Sequence, residues 1–296
     1  GDQAVKLACI DVGGTTIMRL CATAEKGAPV SSYGCDGYGF SPTGAKQGFE
    51  AIKGNIYASI EGLLAEFGCD AIAVSSAGTV DWVSGKVTCA TDALPGFTGY
   101  NFRADIADRY GLPVRVVNDA AAAAIAEHFN GAYPDESEIV LTIGTGLGGA
   151  FVSGGKLDSD SVKDLRIGHV EYVRDGHICK CGKRGCIEQY VSATAMRRDS
   201  GNGDLDAVFA DRAAYGGQID AFEEALRWIT VKAFDMTGAA HAVIGGGVTE
   251  IAGWWDDFVQ KLPPVYVKRV RKASLGNRAG ALGAAYAALN GVFARQ

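Results

Sequence analysis

The sequence predicts an α/β protein built as two lobes around a cleft. Three observations carry this expectation. Apolar strand-like segments alternate with amphipathic helical ones. A strand, a Gly/Thr turn and a second strand occur twice, about one lobe apart. The 296 residues suffice for two domains at roughly 150 residues each. Composition is that of an ordinary globular protein, 48% hydrophobic and 21% charged.

In chain order, residues 5–10 are apolar, Asp11, Gly13 and Gly14 interrupt them, and 17–24 are apolar again, which reads as a hairpin. Phe49, Ile52, Ile56, Ile60, Leu63, Leu64 and Phe67 recur every three or four residues and predict an amphipathic helix. Segment 71–74 is a short buried strand. Segment 112–117 is another, with Pro113 at its entry, and Asn118-Asp119 leads into an Ala-rich helix over 120–128. The second half repeats the opening: apolar 139–143, the turn 144–149, and a strand over 150–152. A Cys-rich insert (168–188), a helical stretch (207–238), a buried strand (242–244) ending in Gly245-Gly246-Gly247, and a small-residue helix (279–289) complete the chain. The expected division is a lobe over 1–118, joined by the C-terminal helix at about 288–296, and a lobe over 119–287 that holds the insert.

Bulk properties exclude several classes. A net charge of -6 repels phosphate backbones, so nucleic acid is not an expected partner. No apolar run approaches the roughly 18 residues of a membrane helix, and residues 1–6 show no signal-peptide pattern. The 8 cysteines are too sparse for a disulfide framework. Five are scattered in the N-terminal third and read as buried reduced thiols, which points to the cytoplasm.

The two hairpin turns are the first chemical signal. In Asp11-Val12-Gly13-Gly14-Thr15-Thr16 a carboxylate at a strand end is followed by glycines and hydroxyls. Glycine lets backbone N–H groups approach a phosphate, Thr adds donors, and Asp11 can hold Mg²⁺ through oxygen or water. Gly144-Thr145-Gly146 offers the same donors from the other lobe. Each turn alone is equally an ordinary hairpin; the matched pair favours phosphate. Neither fits a Walker loop, since Gly-Lys-Ser/Thr is absent, nor a dinucleotide fingerprint, since each leads into a strand.

Asn118-Asp119 closes a buried strand, where α/β sheets bind ligands. Asp119 suits a base that accepts a hydroxyl proton and Asn118 can orient a substrate, while both residues also suit a helix N-cap. The sharpest signal is His169 with Cys179, Cys181 and Cys186: three Cys and one His suit a closed, tetrahedral, structural Zn²⁺. His177 is a rival fourth ligand. Gly245-Gly246-Gly247 could let an adenine or ribose lie on the backbone, or be a plain strand-to-helix turn.

Together these segments resemble the ROK family (repressors, open reading frames and sugar kinases), from Asp11 to the C-terminal helix, most specifically in Gly168-His169 through Cys186 and Glu188. The resemblance implies the actin-like ATPase fold with ribonuclease H-like lobes, and ATP-dependent phosphoryl transfer to a sugar hydroxyl, usually the 6-hydroxyl of a hexose. It implies Asp119 as general base, and Gly78, Asn118, Asp119, His169 and Glu188 around the sugar. The nucleotide would meet Asp11, Gly13, Gly14, Thr15, Thr16, Gly144, Thr145, Gly146 and Gly245 to Gly247. It further implies a homodimer, and zinc as the scaffold for His169 and Glu188.

One departure bears on specificity. Where many family members carry a sugar-binding Glu three residues before the zinc His, this chain has Arg166, which cannot accept a hydrogen bond but can donate one or attract an anion. It can equally face solvent, paired with Asp164 or Glu171. The acceptor is thus expected to be glucose or, alternatively, N-acetylmannosamine, another hexose or a β-glucoside. The rival class is a sugar-binding regulator without catalysis; only ten residues precede Asp11, too few for the helix-turn-helix domain that the family's repressors carry there.

Overall fold

The computed structural model describes residues 3–90, 93–131, 133–158 and 166–292. The chain divides into two compact units, Gly1–Pro134 with Asn277–Arg295, and Asp135–Gly276.

The first unit is a five-stranded sheet with helices on both faces. Its strands are β1 (Val5–Val12), β2 (Thr16–Ala24), β3 (Gly34–Pro42), β4 (Ala71–Ser76) and β7 (Val114–Asn118), in the order β3-β2-β1-β4-β7. Strands β1, β4 and β7 run parallel, β2 is antiparallel to β1, and β3 is antiparallel to β2. Helix α1 (Phe49–Phe67) buries Ile52, Ile56, Ile60 and Leu63 against Ala8, Ile10, Ile17 and Ile72. This is the apolar stripe the periodicity predicts. Gly68, in the left-handed region at φ 61°, ends the helix and donates to Leu64 O. A small ribbon, β5 (Thr79–Asp81) with β6 (Lys86–Cys89), and helix α2 (Phe102–Tyr110) lie between β4 and β7 in sequence.

Helices α3 (Asp119–His128) and α9 (Ala279–Leu289) pack together, and α9 also lies against β1, β4 and β7. Small residues make this closeness possible. A Cβ at Gly283 would stand 1.7 Å from Ala122 O, and one at Gly280 would stand 2.5 Å from an Asp11 carboxylate oxygen. The first unit therefore takes in α3 and α9 whole, whereas a division at 118 and 287 would place α3 and nearly all of α9 in the other lobe, away from the strands β1, β4 and β7 they pack on. We expect Gly283→Ala to cost at least ~2 kcal/mol, because the obstructing atom is backbone and cannot swing away. Thermal unfolding of the variant checks this.

The second unit repeats the plan. Its strands are β8 (Glu138–Ile143), β9 (Leu147–Ser153), β10 (Lys156–Leu157), β11 (His241–Gly245) and β12 (Val270–Lys272), in the order β10-β9-β8-β11-β12. Strands β8, β11 and β12 are parallel, β9 is antiparallel to β8, and β10 is antiparallel to β9. The two sheets match strand for strand, as the repeated turn implied. Helices α4 (Ala193–Ser200), α5 (Leu205–Ala210), α6 (Arg212–Thr237), α7 (Trp255–Gln260) and α8 (Pro264–Val267) complete the unit. Phe209, Phe222, Trp254 and Phe258 are fully enclosed in its core.

Some expected boundaries move. The helical stretch 207–238 is two helices, because Asp211 leaves helical geometry and its carboxylate accepts from Ala214 N as the cap of α6. The strand expected over 71–74 runs on to Ser76, and the one over 112–117 starts at Val114, since Pro113 has no N–H for the ladder. Among the scattered thiols, Cys9, Cys21 and Cys69 are buried as expected. Cys35 is half-buried, and Cys89 is exposed because its ribbon lies outside the main sheet. Among the described residues no helix is long and apolar enough to cross a membrane.

Candidate functional site

In the first unit, polar residues gather where three parallel strands end together. Asp11 pairs with Ser75, and Ser76 pairs with both Val12 and Asn118. The turn Gly13–Thr15 leaves from the same edge. It is closed by Gly13 N–H donating to Thr16 O at 3.0 Å.

Asp11 is half-buried, and Ser75 Oγ donates to its Oδ1 at 2.6 Å. Burial pushes its carboxyl up to about 7; the Ser75 hydrogen bond opposes the rise and the charge of Asp119 adds to it. The N-terminal turn of α9 covers this carboxylate through Gly280.

Asn118 and Asp119 interlock. Asn118 Oδ1 accepts from Ala121 N at 3.1 Å and caps α3, so the cap reading holds. Its amide donates to Gly78 O at 2.6 Å and to Asp119 Oδ1 at 3.0 Å. Asp119 Oδ1 also accepts from Ala120 N at 2.8 Å. Water reaches Asp119, yet the surrounding protein strips enough hydration to raise its carboxyl to about 6, against the Ala120 and Asn118 hydrogen bonds. Gly78 is a position only glycine fills well: φ is 89°, and a Cβ there would stand 2.8 Å from Cys89 O.

In the second unit the turn Gly144–Gly146 is closed by Gly144 N donating to Gly146 O at 3.0 Å. It is tied down by Ala193 N to Gly144 O at 2.8 Å and by Thr194 Oγ1 to Thr145 O at 2.7 Å. Gly246, at φ 93°, packs against the residue before this turn, and a Cβ there would stand 2.4 Å from Ile143 O. Glu188 borders it from another side, its Oε2 2.8 Å from where a Gly146 Cβ would be. So Gly144, Thr145, Gly146, Gly245, Gly246, Gly247, Glu188 and His169 converge within one unit.

The four expected metal ligands also meet. One atom from each of His169, Cys179, Cys181 and Cys186 lies within 4.8 Å of the others. Cys179 Sγ is 3.6 Å from His169 Nδ1, and Cys181 Sγ is 3.5 Å from Cys186 Sγ. Two thiolates at ~2.3 Å from a tetrahedral ion stand roughly 3.8 Å apart, so these spacings fit zinc. Gly182 and Gly185, at φ 88° and 74°, supply the tight turn. His177 stays outside the group, with its ring beside Tyr190 at 5.3 Å. Glu188 Oε1 lies 3.4 Å from His169 Nδ1 and 3.0 Å from Cys179 Sγ.

Arg166 is exposed and holds the left-handed region at φ 34°, an uncommon place for a side chain with Cβ. Its carbonyl accepts from His169 N at 2.7 Å, which starts the turn that carries His169. Among the described residues no ion pair joins it to Glu171; Asp164 lies outside them.

Sequence reasoning missed three contributors. Ser75 lies beyond the expected end of its strand, Gly280 matters only through helix packing, and Thr43 sits in a stretch without periodicity. Thr43 is fully buried and donates through Oγ1 to Gly13 O at 2.6 Å and through its N–H to Thr15 O at 2.9 Å.

Comparison with known proteins bears on family and fold. A model of the ROK family matches residues 7–290. A glucokinase of Streptomyces coelicolor is 29% identical over 312 aligned positions, covering 93% of this chain and 95% of that one. An N-acetylmannosamine kinase of Citrobacter koseri is 31% identical over 204 positions, covering 65% and 70%. Among solved structures, a ROK family glucokinase from Streptomyces griseus, in complex with glucose and AMPPNP, is 26% identical. It superposes with a TM-score of 0.76 over 95% of this chain and 98% of that one. The fold is thus the two-lobed actin-like ATPase fold of such kinases.

Proposed function

The chain belongs to the ROK family, and from that premise we propose that it is an ATP-dependent hexose kinase that transfers the γ-phosphoryl group of MgATP to a sugar hydroxyl, the 6-hydroxyl. The observation that carries the reading is Asp119: a water-accessible carboxyl with its pKa raised to about 6, fixed by Asn118 and Ala120 at the end of a parallel strand. A base near the working pH accepts a proton most effectively.

Asp119 takes the proton of the acceptor hydroxyl as its oxygen attacks the γ-phosphorus and ADP leaves. Phosphoryl transfer asks little more of a protein than positioning and charge neutralisation. Asn118, Gly78, His169 and Glu188 hold the sugar. Two glycine-rich turns, Gly13–Thr16 and Gly144–Gly146, and the run Gly245–Gly247 would supply phosphate and nucleoside contacts, and Asp11 would help hold the magnesium that neutralises the phosphates. His169, Cys179, Cys181 and Cys186 would hold zinc, which would supply a fixed scaffold for His169 and Glu188. The approach of His169 Nδ1 to the sulfurs supports this, since the other ring nitrogen is left for the sugar. Arg166 shapes acceptor choice, so glucose competes with N-acetylmannosamine, other hexoses and β-glucosides. Cytoplasmic residence and a homodimer belong to the same reading.

The test is ADP release with MgATP across glucose, mannose, N-acetylmannosamine, N-acetylglucosamine and cellobiose. Turnover of one of them is expected; silence on all, from zinc-replete folded protein, would favour a non-catalytic sugar-binding regulator. The pKa of Asp119 adds a second expectation: kcat/KM falls about tenfold per pH unit below pH 6, where the base is protonated. A profile flat from pH 5 to pH 8 would remove Asp119 from that role.

A further inference from the structure

We propose that Thr43 is a positioning residue that sets which way the peptide planes of the Gly13–Thr16 turn face, and so presents their N–H groups to a nucleotide phosphate. The inference rests on the kinase reading and assigns a role to a residue outside the recognisable motifs.

The geometry is specific. Thr43 follows directly after edge strand β3 and reaches the turn with two donors. Its hydroxyl donates to Gly13 O at 2.6 Å, and its N–H donates to Thr15 O at 2.9 Å. In a trans peptide the C=O of one residue and the N–H of the next point in opposite directions. Holding Gly13 O toward Thr43 therefore turns Gly14 N–H away from it, and holding Thr15 O does the same for Thr16 N–H. Among the described residues Gly14 N–H, the donor turned outward by the hydroxyl of Thr43, has no acceptor within the protein. Without the clamp, a glycine-rich turn can flip a peptide at little cost. A flip of the Gly13–Gly14 unit would replace a donor by a carbonyl oxygen facing the phosphate, changing attraction into repulsion.

Thr43 is itself anchored. It is fully buried, and its carbonyl accepts from Asn55 Nδ2 on α1 at 3.1 Å. Gly44 makes room for that amide: φ is 81°, and a Cβ there would stand 2.8 Å from Asn55 Nδ2. The chain Asn55, Thr43, Gly13 thus ties the turn to the body of the first unit. The threonine methyl fills buried space that valine also fills, so the hydroxyl can be tested alone.

The experiment compares wild type, Thr43→Val and Thr43→Ser in steady-state kinetics and in calorimetric titration with MgADP. Loss of one buried hydrogen bond to the turn is expected to weaken MgADP and raise KM for MgATP roughly tenfold in Thr43→Val. KM for the sugar should stay within about twofold, and Thr43→Ser should recover most of the loss. Asn55→Ala, one step back in the chain, should show a smaller effect of the same kind, and stands in if Thr43→Val does not fold. Unchanged nucleotide affinity in Thr43→Val would overturn the proposal while leaving the kinase reading intact. Equal losses for sugar and nucleotide, tracking a fall in thermal stability and not rescued by serine, would reduce Thr43 to a packing role. A wild type that neither binds MgADP nor turns over would defeat both.

Discussion

Asp119→Asn is expected to lower turnover by at least ~10²-fold while sugar binding stays largely intact. Asparagine keeps the shape of the side chain and the Oδ1 that accepts from Ala120 and Asn118, so the start of α3 should persist. What disappears is the ability to take a proton. Stability should move the other way. The folded carboxyl titrates at about 6, above the usual carboxylate range near 4. Wild type therefore loses stability, relative to its protonated form, as pH rises through that window, whereas asparagine does not titrate. The variant should match wild type near pH 4 and be equal or more stable at pH 8. Sugar titration, single-turnover kinetics and unfolding at both pH values check this; near-wild-type turnover in Asp119→Asn would remove the residue from the chemistry.

The second large effect is expected at the metal group. Cys181→Ser should lower bound zinc from about one per chain toward none and destabilise the second unit by several kcal/mol, roughly 3 or more. Serine replaces a thiolate whose neighbour, Cys186 Sγ, lies 3.5 Å away, and three ligands hold zinc poorly. Activity should fall too, because the ligand loop adjoins Glu188, whose carboxylate lies 3.0 Å from Cys179 Sγ. Elemental analysis beside thermal unfolding separates the outcomes. A stable, active, zinc-free Cys181→Ser would show that the group holds no structural metal.

Much of this was legible in the residues, for reasons that differ by element. Helices α1 and α9 are readable end to end: one has a clean apolar period between glycines, the other an unbroken run of small and apolar residues. The duplicated plan is visible because both hairpin turns need glycine, and glycine stands out. The metal group is legible because four ligands fall within one short insert. Strand β3 is not, since it lies at the sheet edge, its half-buried alternate face is Cys35, Gly37, Gly39 and Ser41, and its large apolar residues Tyr38 and Phe40 are exposed. With β3 unread, Thr43 had no place beside the phosphate turn. Gly280 and Gly283 were visible as small residues, but their reason lies in backbone contacts with Asp11 and Ala122, which local sequence does not encode. The Asn118-Asp119 pair was ambiguous between cap and base because one geometry serves both: the amide of Asn118 caps the helix and steadies the carboxylate.

The most direct test is to identify the product. Zinc-replete protein incubated with MgATP and the hexose that releases ADP fastest should yield one hexose 6-phosphate per ADP, seen by phosphorus NMR and mass spectrometry. ATP left unconsumed by every sugar that binds, or ADP formed with inorganic phosphate and no sugar phosphate, would contradict the kinase account.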